Sequence, residues 1–491
     1  RFTNSRGGAG NTLGGGWPST EMSSPYTSPE KARLSIDDSL PLPLDEKCIH
    51  GTLSNGLTYY VQNNLKPEAR AELRLVVKVG SVHEEDHECG LAHMVEHLAF
   101  RGTKEYDTFE VIRFLEAIGA RFGACQNAYT SFDETVYFLQ VPIDREGLLE
   151  KALTVLREWA YHVRCTDQDV EAERGIVLEE WRQGRTASAR ADEDFFTTLM
   201  EGSRYAKRLP IGKLEVIRNC SPETVRGFYQ KYYHPKRMAV VAVGDFDRCC
   251  PGGAREVAGH VARLFDVDPP GAWVEAPEVA FPAHLAPRLS IFTDKEATNA
   301  SVVVDCKRAR QPVETQGDYR RTILEHLYHE ALSTRLYKIA VTPGAPFFSA
   351  STCISFPTST VETAALSISV EAGGELQALA SVLNEVERVS KHGFEEAEVR
   401  IAKANLLSDL EADHIEREQL DSEGFCSEFV ENFVRREPAM GVAYEVALCR
   451  ALLPELTCAQ IAAVGNDYRW DLNCVVKITR PRVSWVKRLI G

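Results

Sequence analysis

The chain has 491 residues, of which 44% are hydrophobic and 26% are charged, and its formal net charge is −15. This is the composition of a globular protein long enough for two to four domains. The acidic balance argues against nucleic acid as the main partner, because phosphate recognition requires clustered lysine and arginine. No stretch approaches about 18 uninterrupted apolar residues, so no transmembrane segment is expected.

Cysteine usage and the N-terminal segment bear on the compartment. Thirteen cysteines are scattered from Cys48 to Cys474 without metal-site spacing, which favours thiols kept in a reducing compartment. Residues 1–44 are rich in Gly, Ser, Thr and Pro and are predicted to be a disordered tail. Such a tail could be the remnant of a targeting segment, so both an organelle (plastid or mitochondrion) and the cytosol stay open.

The first predicted unit spans residues 45–267 and alternates strands with helices. In chain order, the strand patterns are NGLTYYVQ and AELRLVVKVG, then FGACQNA and ETVYFLQVP, and finally MAVVAVGDF. Helical patterns begin at Gly90, in TFEVIRFLEAIG, in GLLEKALTVLREWAYHV, after Thr166 and in PETVRGFYQKYY. Thr166 with Asp169 three residues later predicts an N-terminal cap.

A proline-rich linker over residues 268–287 is predicted to lead into a second unit over 288–491. This unit repeats the same order, from the strands SIFTD and ASVVVDCK through helix YRRTILEHLYHEALSTRL to the final strand NCVVKI. The predicted fold class is therefore α+β, with two duplicated α/β-sandwich units in which an antiparallel-rich sheet is flanked by helices.

The segment GLAHMVEHLAF carries the first chemical signal. On a helix, His93 and His97 lie one turn apart and about 40° around the axis, so both imidazoles can meet one metal ion. Glu96 projects beside the pair and could take a proton from a metal-bound water. A helix whose histidines are merely solvated is the plainer interpretation of an isolated HxxxH, but Glu96 and acidic residues downstream weigh against it.

A carboxylate is expected as the third ligand, and EAERGIVLEEW is the candidate region. Glu173 and Glu180 are seven residues apart and share a helix face, although roughly 10 Å separates them along the axis. One of the two is expected to bind the metal while the other supports the site from behind the ligands. Glu179 lies about 100° off that face.

These motifs resemble the pitrilysin/insulinase family of zinc metallopeptidases. HMVEH matches the inverted HxxEH motif of that family. The blocks that agree around it are GLAHMVEHLAFRGT, NAYTSFDETVY, ERGIVLEEW, RLPIG and YYHPKRMAVVAVGDFD. The resemblance covers about residues 48–481 and is strongest to bacterial-type zinc proteases and to the stromal processing peptidase.

The resemblance implies a complete peptidase site with one Zn²⁺ per chain. His93, His97 and Glu180 would be the metal ligands, Glu96 the general base, and Glu173 the residue that supports the ligands. The strand whose edge receives the substrate peptide would contain Asn127, Ala128, Tyr129 and Thr130. The expected reaction is hydrolysis of extended peptides or precursor segments by a zinc-bound water that Glu96 activates.

The second unit contains no HxxEH and is therefore interpreted as an inactive structural repeat. His326 and His329, three residues apart, are interpreted as ordinary helix residues rather than ligands. Family members enclose substrate between two such two-unit halves, so a second half is expected: a C-terminal half, a partner chain or a second copy. The alternative function is a non-catalytic peptide-binding or scaffolding subunit of a processing complex.

Overall fold

The computed structural model describes residues 35–121, 123–268 and 271–482, and over these ranges the chain forms two units. In each unit, helices cover a mixed sheet that is mostly antiparallel. Residues 1–34, the larger part of the predicted tail, lie outside the described residues.

The first unit contains six strands among its described residues. They are β1 (Cys48–Thr52), β2 (Thr58–Asn63), β3 (Arg70–Val77), β4 (Gln126–Thr130), β5 (Thr135–Pro142) and β6 (Met238–Gly244). Its helices are α1 (Leu91–Arg101), α2 (Glu110–Ala117), α3 (Leu148–Tyr161), α4 (Asp167–Gln183), α5 (Ala187–Leu199), α6 (Leu214–Asn219), α7 (Pro222–Tyr232), α8 (Phe246–Cys249) and α9 (Gly253–Phe265). The predicted cap of α4 is confirmed, because the Thr166 side chain accepts from the Asp169 amide.

The second unit contains five strands among its described residues. They are β7 (Arg288–Asp294), β8 (Ala300–Ala309), β9 (Ser349–Thr358), β10 (Val361–Val370) and β11 (Cys474–Pro481). Its helices are α10 (Gln316–Ala340), α11 (Glu375–His392), α12 (Glu396–Glu416), α13 (Ser422–Arg435), α14 (Val442–Leu452) and α15 (Cys458–Ala463).

The two sheets share one topology, which confirms the predicted duplication. The first sheet has the order β1-β2-β6-β3-β5-β4, and the second has the order β7-β11-β8-β10-β9. In both, the last strand of the unit enters the middle of the sheet and runs parallel to one neighbour and antiparallel to the other. The first sheet differs by the additional strand β1, which pairs with β2. β4 is an edge strand and pairs only with β5 among the described strands.

Alternate residues of β3 serve two different cores, as expected from the period of a strand. Leu73 and Leu75 lie in the core beneath α1 and α3. Val76 faces the other way and packs with residues of α13, which belongs to the second unit. Helix α13 therefore covers the sheet of the first unit, and this packing between units was not predicted from the sequence.

The structure differs from the sequence prediction at two places, the strand before Thr130 and the end of the predicted tail. The strand predicted over FGACQNA lies at Gln126–Thr130, because Gly123 has a φ of +80° and residues 123–125 form a turn; Phe122 lies outside the described residues. Residues 35–44 of the predicted tail are packed rather than disordered, since Leu42 donates to the Glu314 carbonyl and packs on the second core. In the linker, Phe281 packs against residues of both units.

One of the two helix histidines of the second unit lies in the core. His329 is buried and its Nδ1 lies 2.9 Å from the Thr352 hydroxyl, as expected for an ordinary core histidine. Within the described ranges, no single helix is long and apolar enough to cross a bilayer. Residues 442–455 and 458–467 together have sufficient length and apolar composition, but a bend of 99° separates them.

Candidate metal centre

Helix α1 presents an apolar face to the core and its histidines to a cleft. Leu91, Met94, Val95 and Leu98 are fully buried and form the apolar face of this helix. The side chains of His93 and His97 are 12% and 20% exposed, so they lie at the boundary between the core and the solvent.

The start of α1 is fixed by two contacts from distant parts of the chain. The buried Glu84 carboxylate accepts a hydrogen bond from the Ala92 amide at 2.9 Å and so caps the helix. Gly212 approaches Gly90 so closely that a Cβ on Gly212 would lie 2.4 Å from the Gly90 Cα. This contact explains the RLPIG block, because the loop that carries Gly212 also brings Pro210 and Ile211 to the cleft.

The three glutamates of α4 occupy different environments. Glu173 is 4% exposed and points into the protein, whereas the Glu180 side chain is 49% exposed at the cleft. Glu179 is exposed and interacts with Arg182 and Gln183 on its own helix. Of the three candidates for the third ligand, only Glu180 lies beside both histidines.

His93, His97 and Glu180 converge on one point. The Glu180 carboxylate lies 3.6 Å from His93 Nε2 and 3.2 Å from His97 Nε2. One ligand atom from each residue lies within 4.8 Å of the others. Two imidazole nitrogens and one carboxylate are the donor set of catalytic zinc sites, so these residues fit Zn²⁺. Glu173 lies behind the ligands, with Oε2 3.5 Å from His97 Nδ1.

Glu96 lies beside this donor set in a protected position. Glu96 is 8% exposed, and the Thr130 hydroxyl donates to its Oε2 at 2.7 Å. Burial raises the pKa of Glu96 to about 7, although the bond from Thr130 opposes the shift. A carboxylate with a pKa near neutrality is suited to take up and release a proton at physiological pH.

The charges of the donor set influence one another. Burial, together with the neighbouring His97, lowers the pKa of His93 to about 4. Burial also acts against a charged His97, but the hydrogen bonds that its ring donates to Glu173 and Glu180 outweigh burial and raise the pKa of His97 to about 9. The hydrogen bond to His97 lowers the pKa of Glu180. These shifts keep Glu180 as a carboxylate and His93 as a neutral imidazole, which are the forms that bind metal, whereas His97 must release a proton in order to bind one.

A cleft of about 700 Å³ joins the donor set to the edge strand β4. All four residues predicted for substrate binding line it, namely Asn127, Ala128, Tyr129 and Thr130. Thr130 faces Glu96, while Tyr129 points to the opposite face of the sheet and contacts the Phe138 ring. The apolar wall of the cleft is formed by Phe100, Phe109, Ile112, Ile176 and Ile211.

Sequence reasoning missed two residues of this site. Arg101 donates to Glu173 at 3.0 Å and to Asp169 at 3.1 Å. Arg101 follows His97 by four residues, and Asp169 precedes Glu173 by four, so helical spacing could have placed them on the same faces. Nothing in the sequence indicated that these two faces meet.

Two family models and several known proteins match this chain. Residues 59–207 match the family model described as insulinase (peptidase family M16), and residues 219–249 match the peptidase M16 inactive domain. The chain is 38% identical over 438 residues to a zinc protease PQQL-like protein of Arabidopsis thaliana, covering 88% of this chain and 42% of that protein. It is 30% identical over 319 residues to the chloroplastic stromal processing peptidase of Oryza sativa subsp. japonica, covering 62% and 24% respectively.

A solved structure matches almost the whole described fold. The first half of the periplasmic protease PqqL from Escherichia coli superposes with a TM-score of 0.83 at 25% identity, covering 89% of this chain and 93% of that one. The predicted family resemblance is confirmed by these matches. The chain spans less than half the length of the two curated relatives.

Proposed function

We propose that this chain, which belongs to the insulinase (M16) peptidase family, is the catalytic half of a zinc-dependent metalloendopeptidase. The observation that carries the proposal is the convergence of His93, His97 and Glu180 beside the buried Glu96. A non-catalytic subunit has no need of a complete donor set with a proton acceptor next to it.

The ligands would be His93 and His97 through Nε2 and Glu180 through its carboxylate. Zinc, when bound, lowers the pKa of a coordinated water and polarises the scissile carbonyl. Glu96 accepts a proton from the attacking water and delivers it to the leaving amine. Thr130 holds Oε2 of Glu96, which leaves Oε1 as the oxygen that exchanges the proton.

The substrate would bind as an additional strand along the free edge of β4. This edge lies in the same cleft as Glu96, so a peptide paired with Asn127–Thr130 passes directly over the donor set. Hydrogen bonds to the peptide backbone discriminate weakly between side chains, and we expect extended peptides or precursor segments of varied sequence to bind.

A second half would complete the enzyme. The chain matches the first half of a larger protease over nearly its whole length. A C-terminal half, a partner chain or a second copy would then face the open cleft and enclose the peptide within a chamber.

Zinc content and cleavage of a quenched peptide library, measured on the wild type and Glu96→Gln with a chelator control, test this function. We expect about one zinc per chain in both proteins and chelator-sensitive cleavage only in the wild type. Cleavage that persists in Glu96→Gln would refute the role of Glu96. Zinc in both proteins without cleavage would direct the search to the second half, and absence of zinc would favour a peptide-binding subunit.

A further inference from the structure

The facing sides of α1 and α4 form an antiparallel ladder of polar side chains. Along α1 the row is His93, His97 and Arg101, each one turn after the last. Along α4, in the opposite direction, it is Glu180, Glu173 and Asp169. The contacts run in order: His93 and His97 meet Glu180, His97 also meets Glu173, and Arg101 meets Glu173 and Asp169.

The guanidinium of Arg101 is held firmly at the end of this ladder that lies farthest from His93. Its side chain is 13% exposed, and those of Asp169 and Glu173 are 5% and 6% exposed. Asp169 is itself fixed by Arg164 and by the hydroxyl of Thr166. Charge-assisted bonds that are shielded from water are strong and directional, so Arg101 has little freedom to move.

Arg101 determines what Glu173 can do. Oε1 of Glu173 accepts from Arg101 at 3.0 Å, which leaves Oε2 to face His97 Nδ1 at 3.5 Å. Because Nδ1 of His97 faces Glu173, Nε2 of the same ring faces Glu180. A fixed partner on one imidazole nitrogen sets the tautomer that presents the other nitrogen to a metal.

The three candidate glutamates of α4 differ in the basic residues that lie beside them. Glu173 is engaged by Arg101, and Glu179 by Arg182. In the part of the chain that the structure describes, the basic partners of Glu180 are the two histidines, and no lysine or arginine lies in an ion pair with it. The glutamate without an arginine partner is the one left to bind a cation.

We propose that Arg101 is a positioning residue for the metal centre: it holds Glu173 behind His97 and thereby reserves the ligand position for Glu180. This inference rests on the proposed function, since it assigns a role in building the same zinc site. Arg101 is not one of the metal ligands and acts on them through Glu173. Its side chain also lines the cleft, so the test is made on zinc affinity and not on cleavage.

A double-mutant cycle on zinc affinity tests the proposal. The proteins are the wild type, Arg101→Met, Glu173→Gln and the double variant, with the zinc dissociation constant measured by chelator competition and folding checked by circular dichroism. Loss of a residue that orients a metal ligand weakens metal binding about 10- to 100-fold, so each single variant should fall in this range. The double variant should bind zinc no more weakly than Glu173→Gln, because without the Glu173 carboxylate Arg101 has no charged acceptor through which to act on His97.

Two further variants make the test specific. Arg182→Met removes an exposed arginine that pairs with Glu179 on the same helix, and its zinc affinity should match the wild type. Arg101→Lys keeps the charge but lacks the planar fork that reaches two carboxylates, so its affinity should lie between those of the wild type and Arg101→Met. If Arg101→Met does not fold, Arg101→Lys replaces it in the cycle.

The outcomes distinguish this inference from the proposed function. Losses that add in the double variant, or an Arg101→Met protein with wild-type zinc affinity, would overturn the positioning role while wild-type cleavage still supports a zinc peptidase. A wild-type protein that binds no zinc would overturn both.

Discussion

The hydrogen bond from Thr130 to Glu96 provides a quantitative test of the proposed base. Thr130→Val replaces the hydroxyl by a methyl group of similar shape and keeps a β-branched side chain in β4, so the strand should persist. The bond removed is 2.7 Å long and ends on a buried carboxylate. A hydrogen bond to a charged group contributes about 1.5–3 kcal/mol.

If that contribution orients Glu96 during catalysis, kcat and kcat/KM should fall together by about 10- to 150-fold, since each 1.36 kcal/mol corresponds to a factor of ten. Cleavage of a quenched peptide, measured at saturating zinc, gives both constants. Thr130→Ser keeps the hydroxyl and should retain most of the activity. Wild-type kcat in Thr130→Val, with zinc content unchanged, would show that this hydrogen bond does not contribute to the chemistry.

Three other predictions concern the ligand set, a buried acid and the packing between units. Glu180→Gln should lose zinc in a chelator competition, while Glu179→Gln, on the adjacent exposed face, should retain it; equal losses would contradict the assignment of Glu180. Burial raises the pKa of Asp305 to about 6, so its stabilising contribution is complete below the unfolded pKa near 4 and is lost as the pH rises through 6. Asp305→Asn should therefore abolish about 2 kcal/mol of the decline in the free energy of unfolding between pH 4 and 7. Urea titrations that show the wild-type decline in the variant would refute this. Phe429 is 1% exposed and its ring stacks on Tyr60 with the ring centroids 5.2 Å apart, so Phe429→Ala should lower the free energy of unfolding by about 3–5 kcal/mol in the same urea assay. Leu376 is 73% exposed, and the control Leu376→Ala should lower it by less than about 0.5 kcal/mol.

Much of the site could be predicted from the sequence because its signals are local. The spacing of His93 and His97 on an amphipathic helix, and the seven-residue spacing of Glu173 and Glu180, depend only on helical geometry. The cap at Thr166 likewise involves residues three positions apart. The duplication was visible because both units repeat the same order of strands and helices.

The sequence left the third ligand open among Glu173, Glu179 and Glu180, and their separation in the structure comes from partners on other elements. Arg101 on α1 engages Glu173, while Glu180 reaches the histidines. These contacts depend on how α1 and α4 cross, and no local pattern determines that.

The sequence by itself determined the repeat, the helices that carry His93, His97 and Glu180, and the residue types of the metal centre, because periodicity and capping act between near neighbours in the chain. Only the tertiary structure decided that Thr130 reaches Glu96, that Gly212 packs on Gly90, and that α13 covers the first sheet. The residues in these three contacts are separated in the chain by 34, 122 and about 350 positions. They form only when the whole chain has packed, because burial and hydrogen bonding across such distances must offset the entropy of closing long loops.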